Sequence, residues 1–170
     1  FGSVYHSSNP FLFLSLFSIS KVKYFSKYGI HFLINSKSFV SSNLAISLSH
    51  LNKKVVIIGL DIRKPALVKF FPDVKNDQAR NVVGYLIGKC DNPAELVKQS
   101  SMAPGLDIIV AGPVPPNPTE LLDQDRLSSL IDWAKANYDY VILDSAPYIP
   151  VPDSGIINKF VDTTLYVLRS

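Results

Sequence analysis

The chain has 170 residues, of which 47% are hydrophobic and 18% charged, with a net charge of +3. This is enough for one packed domain, too apolar for a disordered segment, and too weakly and diffusely basic to call for a nucleic acid partner. The single Cys90 excludes an internal disulfide, and His6, His31 and His50 lack metal-ligand spacing.

With Phe1 at the start, Met102 as the one methionine and an apolar stretch running up to Ser170, the sequence is expected to be truncated at both ends. Residues 1–36 form an unassigned leader. Within it, Phe11–Ile19 is apolar over nine residues only. That is short of the ~20 needed to cross a bilayer and lacks the flanks of a signal peptide, so it reads as a strand or a non-native leader. Gly29–Asn35 alternates imperfectly, in the manner of a first strand.

From Ser38 onward the pattern is regular. Val40, Leu44, Leu48 and Leu51 recur at helical spacing behind Ser38 as an N-cap. Residues 55–60, "VVIIGL", open with four β-branched residues and predict a strand buried on both faces. "PALVKFF" is a loop and helix region, and "NVVGYLIGK" a short helix ending near Gly88. "NPAELVKQ" starts a helix at Pro93, and "GLDIIVAGP" is a strand closed by Gly112 and Pro113. Pro113–Pro118 is irregular, because proline has no amide donor. "TELLDQDRLSSLIDWAKANY" predicts one helix with Leu122, Leu127, Leu130, Ile131 and Ala134 facing inward. "DYVILDSAP" is a second buried strand, "DSGIINKF" a short helix capped by Asp153, and "TTLYVLR" a last strand. Trp133 and the tyrosines sit at core-like positions and read as packing residues. Strands alternating with helices predict an α/β fold with a mostly parallel sheet and helices on both faces.

The chemistry gathers at strand ends, where open parallel sheets bind ligands. The strand at 55–60 runs into Asp61, Arg63 and Lys64; the strand after Tyr138 delivers Asp144. Lys37 and Ser38 stand at the start of a helix, as at the end of a Gly-x-x-x-x-Gly-Lys-Ser/Thr phosphate loop. Both glycines of that loop are missing: His31 and Ser36 occupy their places. Two carboxylates facing a Lys-Ser helix start can hold Mg2+, which bridges phosphate oxygens and offsets charge during transfer.

The stretches "SFVSSNLAISLSHLNKKVVIIGLDIRKPAL", "VAGPVPPNPTELL", "YDYVILDSAP" and "DTTLYVLR" together resemble the cytoplasmic kinase domain of bacterial tyrosine kinases of capsular and exopolysaccharide synthesis. These are close in fold to P-loop ATPases of the MinD and ParA type. The likeness covers residues 37–170, a partial domain, and "PPNPTELL" separates the kinases from MinD and ParA. The resemblance implies a three-layer P-loop NTPase fold, with ATP and Mg2+ as cofactors. It implies Lys37 and Ser38 as the end of Walker A, Asp61 as the acid of a family-specific Walker A′ motif, and Asp144 as the acid of Walker B. Asp61 is then tied to Mg2+ and to activating a tyrosine hydroxyl, Ser38 and Asp144 to Mg2+, and Lys37 to the phosphates. Arg63 and Lys64 match a basic pair for phosphate or partner-subunit contact. Some members carry another Asp where this chain has Gly59.

The implied partners are a polysaccharide chain-length or co-polymerase membrane protein, fused or separate, and further copies of the kinase phosphorylated in trans. The implied location is the cytoplasmic face of the bacterial inner membrane. The glycine-rich loop, the tyrosine-rich tail and the membrane domain of such kinases are missing from the sequence, so ATP binding by these 170 residues is expected to be weak. Two alternatives stand beside the kinase: a MinD/ParA-like ATPase switch, and a catalytically impaired remnant lacking the Walker A glycines.

Overall fold

The computed structural model describes residues 12–14, 36–75, 77–146 and 153–165. Six strands form one sheet in the order β3-β4-β2-β5-β1-β6. They are β1 (Leu12–Leu14), β2 (Val55–Leu60), β3 (Lys98–Gln99), β4 (Leu106–Ile109), β5 (Tyr140–Ser145) and β6 (Thr163–Thr164). All described pairings are parallel except β3 with β4, at the edge. The expected mostly parallel α/β sheet is therefore present. Residues 12–14, inside the segment set apart as a leader, pair with both β5 and β6. The strand expected over Gly29–Asn35, and His31 with it, lies outside the described residues.

The centre of the sheet follows from its composition. Every residue of β2 is buried, because the strand is covered on both faces. Val56, Ile58 and Leu60 point into one core with Val141 and Leu143, against α2 (Val82–Leu86), α3 (Pro118–Leu122) and α4 (Asp125–Asn137). Val55 and Ile57 point into the other, with Ile142, Leu106 and Ile108, against Ala45 of α1 (Ser36–Ser49) and the 3-10 turn Leu67–Phe70. The period-2 alternation of side chains thus splits one apolar run between two cores, which gives the expected three layers. Each fully buried aliphatic side chain contributes about 2 kcal/mol.

Four expectations change. Helix α1 starts at Ser36, so Ser38 lies in its first turn and is not the N-cap. The face of α1 on the sheet centres on Ser38, Ser41, Ser42, Ala45 and Ser49, all buried, with Leu44 and Leu48 of the expected stripe only partly buried beside it; Leu51 lies past the helix and is 68% exposed. Small side chains let the helix lie close to the strands. Ser42 and Ser49 satisfy their hydroxyls by donating to Ser38 and Ala45 carbonyls at 2.6 and 2.9 Å. The helix expected from Thr119 to Tyr138 is two helices, because Gln124 adopts an extended backbone (φ −112°, ψ 151°) between α3 and α4. The helix expected from Pro93 is a single 3-10 turn, Pro93–Leu96, capped by Asn92.

The proline stretch after β4 sets how α2 and α3 meet the sheet. The first amides of α2, Val82 and Val83, donate to the carbonyls of Val110 and Ala111, both at 2.9 Å. Gly112 has φ +97°, and a Cβ there would fall 2.1 Å from Asn81 Oδ1, which accepts the Gly84 amide as the α2 cap. Only glycine fits this close approach. Helix α5 (Asp153–Ile157) follows β5 and packs near α3, its first residue Asp153 fully buried. Among the described residues no helix is long and apolar enough to cross a membrane.

Candidate functional site

Three elements bring the site residues together at the carboxyl end of the sheet. Helix α1 supplies Lys37 and Ser38 in its first turn, β2 supplies Asp61 just past its end, and β5 supplies Asp144. Strand pairing does the positioning: Gly59 is in register with Asp144, and the Asp61 amide donates to the Asp144 carbonyl at 2.9 Å. The sequence separates Lys37 from Asp144 by more than a hundred positions; the fold makes them one cluster.

Lys37 donates from Nζ to Asp61 Oδ2, and to the Ser145 carbonyl at 2.5 Å. Its side chain is 10% exposed and that of Asp61 6%. A cation at a helix N-terminus opposes the helix dipole, and burial removes its water. Asp61 and the Ser145 carbonyl offset both costs. Asp61 Oδ1 accepts the Lys64 amide at 2.9 Å, so its carboxylate closes the turn that follows β2. The Lys64 side chain points to solvent.

Ser38 donates its hydroxyl to Asp144 Oδ2 at 2.7 Å. Asp144 is 1% exposed, and its Oδ1 is buried without a hydrogen-bond partner. Burial pushes its pKa up to about 6, with Lys37 and the Ser38 hydroxyl opposing that rise and the nearby Asp61 charge adding to it. An orphaned, fully buried carboxylate oxygen beside a hydroxyl and a second carboxylate is an all-oxygen donor set, which suits a hard divalent cation such as Mg2+. Ser38, Asp61 and Asp144 therefore fit the ion, with the balance of its ligands to come from phosphate and water. Among the described residues no group of three or more His, Cys, Asp or Glu side chains offers another metal site.

Arg63 takes a different direction. Its Nε donates to Asp153 Oδ2 at 2.7 Å, and one Nη to Asp153 Oδ1 at 3.2 Å and Thr119 Oγ1 at 2.6 Å. Thr119 in turn donates to Asp153 Oδ1 at 2.9 Å. The hydrogen bond to Asp153 raises the Arg63 pKa further, against burial, which lowers it. Sequence reasoning did not give this triad. In the sequence Thr119 is one residue of "PPNPTELL" with no assigned role, and Asp153 reads as a helix cap. No signal in the sequence joins them, because the contacts depend on tertiary packing. Gly59 also bears on the site: a Cβ there would lie 3.2 Å from the Ala111 backbone nitrogen and 3.4 Å from Leu67 Cδ2. An Asp at this place would need those neighbours to shift.

Residues 34–158 match the AAA domain family. The chain is 38% identical over 135 residues to the tyrosine-protein kinase Etk of Escherichia coli strain K12, covering 79% of this chain and 18% of Etk. It is also 38% identical over 133 residues to the tyrosine-protein kinase Wzc of Salmonella typhi, covering 78% of this chain and 18% of Wzc. The chain therefore spans less than a fifth of the length of these relatives. Among solved structures it is similar to the kinase domain of E. coli tyrosine kinase ETK, with a TM-score of 0.75 and 31% identity, over 94% of this chain and 55% of that one. The MinD protein of Pyrococcus horikoshii, complexed with Mg-ADP, shares the fold at a TM-score of 0.67 and 16% identity, over 91% of this chain and 56% of that one. The expected architecture, shared by the bacterial tyrosine-kinase domains and MinD-type P-loop proteins, is thus the observed one.

Proposed function

The chain belongs to the AAA domain family, and from that premise we propose that it is part of a bacterial protein-tyrosine autokinase. It transfers the γ-phosphate of ATP to tyrosine and so regulates the polymerisation and export of a capsular polysaccharide or exopolysaccharide. The observation that carries this reading is the convergence of Lys37, Ser38, Asp61 and Asp144 at the carboxyl end of the sheet. Its identity to Etk and Wzc favours a kinase over a MinD-like switch, for which the likeness lies in fold alone.

In this reading Lys37 leaves Asp61 for the β and γ phosphates and stabilises charge there. Ser38, Asp61 and Asp144 would hold Mg2+, which when bound would offset the charge of the phosphates. Released from Lys37, Asp61 orients the tyrosine hydroxyl and takes its proton. Arg63 meets phosphate or a neighbouring subunit with the part of its guanidinium not used by Asp153 and Thr119. The proposed partners are a membrane-bound polysaccharide co-polymerase and further copies of the kinase, at the cytoplasmic face of the inner membrane.

The test is phosphotyrosine formation by the full-length protein with Mg-ATP, read by mass spectrometry beside phosphate release. Phosphotyrosine that vanishes in Asp61→Asn supports the kinase. Phosphate release without phosphotyrosine moves the assignment to an ATPase switch, and failure to bind ATP moves it to a non-enzymatic remnant. A glycine-rich loop restored ahead of Lys37 is expected to raise ATP affinity, because backbone amides can then approach the phosphates closely.

A further inference from the structure

The proline-rich stretch "PPNPTELL" and the turn "LDIRKP" lie far apart in sequence, yet a buried polar triad ties them together. Asp153 is fully buried. Its two oxygens receive Arg63 Nε, an Arg63 Nη and the Thr119 hydroxyl, while that Nη also reaches Thr119 Oγ1. Two features give the triad meaning. Arg63 sits inside the turn that the Asp61 carboxylate closes by accepting the Lys64 amide. Thr119 sits in the first turn of α3, directly behind Pro118, whose ring fixes the backbone there. Whatever holds Arg63 therefore limits the orientations open to the Asp61 carboxylate, and Thr119 and Asp153 are what hold it. A half-buried, bidentate Arg-carboxylate pair is directional, and the loss of one member of the triad takes hydrogen bonds from both others.

We propose that Thr119 and Asp153 are positioning residues: acting through Arg63, they fix the Asp61 turn so that its carboxylate meets the nucleotide-bound metal. This rests on the nucleotide and Mg2+ reading of the site. It gives the proline-rich turn a job, which is to deliver the Thr119 hydroxyl to the far side of the Asp61 turn. Neither residue touches the reacting atoms.

The test compares ADP affinity of the full-length protein with Mg2+ and with EDTA, by displacement of a fluorescent nucleotide. Thr119→Val keeps the shape and removes the hydroxyl. It is expected to leave affinity in EDTA within about twofold and to reduce the gain given by Mg2+ about fivefold, inside the range for residues coupled through one network. Thr119→Ser should restore the gain. Asp61→Asn should remove it, and adding Thr119→Val to Asp61→Asn should change nothing more. Equal losses in Mg2+ and EDTA, or additive losses in the double variant, overturn the proposal. A wild type with no Mg2+-dependent gain refutes the metal reading instead, and hydrogen exchange then decides the anchor alone. Faster exchange of the Asp61–Lys64 peptide in Thr119→Val supports it, and unchanged exchange rejects it.

Discussion

Asp61 and Asp144 end neighbouring parallel strands, and their surroundings make them different acids. Asp61 has a cation on one oxygen and a backbone amide on the other. Asp144 has one hydroxyl, an unpartnered Oδ1 and almost no contact with solvent. The first is a carboxylate already neutralised by the protein's own lysine. The second is held at a cost in stability, its pKa raised to about 6 mainly by burial. A buried carboxylate with one oxygen left unpartnered has no packing rationale; it suits a site that expects a cation from outside.

Lys37→Met should break the comparison hardest. It keeps the bulk of the side chain and leaves Asp61 buried opposite no cation. Breaking a buried pair from one side costs about 3–5 kcal/mol, so urea denaturation at neutral pH should show a loss of that order. Nucleotide affinity should fall with it. A loss below about 1 kcal/mol, the range of exposed pairs, would show that the pair is solvated.

Asp144→Asn should act in the opposite direction. The folded-state pKa of about 6 lies above the usual carboxylate value of 3.8, so between those values the folded protein holds more proton than the unfolded chain. The stability carried by the protonated acid is present in full below about pH 4 and is lost as pH rises through about 6. In EDTA, the uncharged variant should therefore be more stable than wild type at pH 7.5, by on the order of 3 kcal/mol, and nearly equal to it at pH 4. The difference curve is what reads this out. Asp73 and Asp77, whose pKa values are lowered by backbone hydrogen bonds from Ser101 and from Arg80 and Ala79, pull total stability the other way in acid. A difference that stays flat from pH 4 to 7.5 would refute the buried-charge account. Mg2+ with nucleotide should narrow the gap at pH 7.5, since it supplies the partner in wild type and not in the variant.

Ser38→Ala sharpens the same contrast from the other side. It removes the hydroxyl on Asp144 Oδ2 and leaves both carboxylate oxygens without that donor. A lost hydrogen bond to a charged group costs about 1.5–3 kcal/mol. The pH at which stability falls should move upward, because a donor that favoured the charged form is gone. A midpoint that stays in place would mean that water replaces the hydroxyl.

What the sequence showed of this arrangement follows from how local each signal is. β2 and β5 were legible because apolar, β-branched runs ending in Asp suit strands covered on both faces. Lys37, Ser38, Asp61 and Asp144 were legible as an ordered set. The Gln124 break was not, since residues 119–138 contain no glycine or proline to mark it. The serine face of α1 was missed because hydropathy counts serine as polar, whereas close approach to a sheet selects for small size. The Arg63 triad joins residues 56 and 90 positions apart, and no spacing rule reaches that far. Each missed feature depends on tertiary packing, and each legible one on a strand or on a helix start.

The opposite edge of the sheet offers the control. At the amino end of β4, Tyr138 donates its hydroxyl to Asp107 Oδ2 at 2.8 Å, and Trp133 packs against the Tyr138 ring edge-on with centroids 6.0 Å apart. Burial, then the bond to Asp107, raises the Tyr138 pKa, so this is a polar contact whose partners are both supplied by the fold. Tyr138→Phe keeps the ring and its packing and removes one hydrogen bond, for an expected loss of about 1 kcal/mol. Because both partners of this contact come from the fold, that loss should be the same with and without nucleotide and Mg2+, and constant from pH 5 to 8. A Tyr138→Phe protein whose stability loss varied with nucleotide would show that the two edges of the sheet are coupled, and the contrast between Asp61 and Asp144 would then no longer be local to the site.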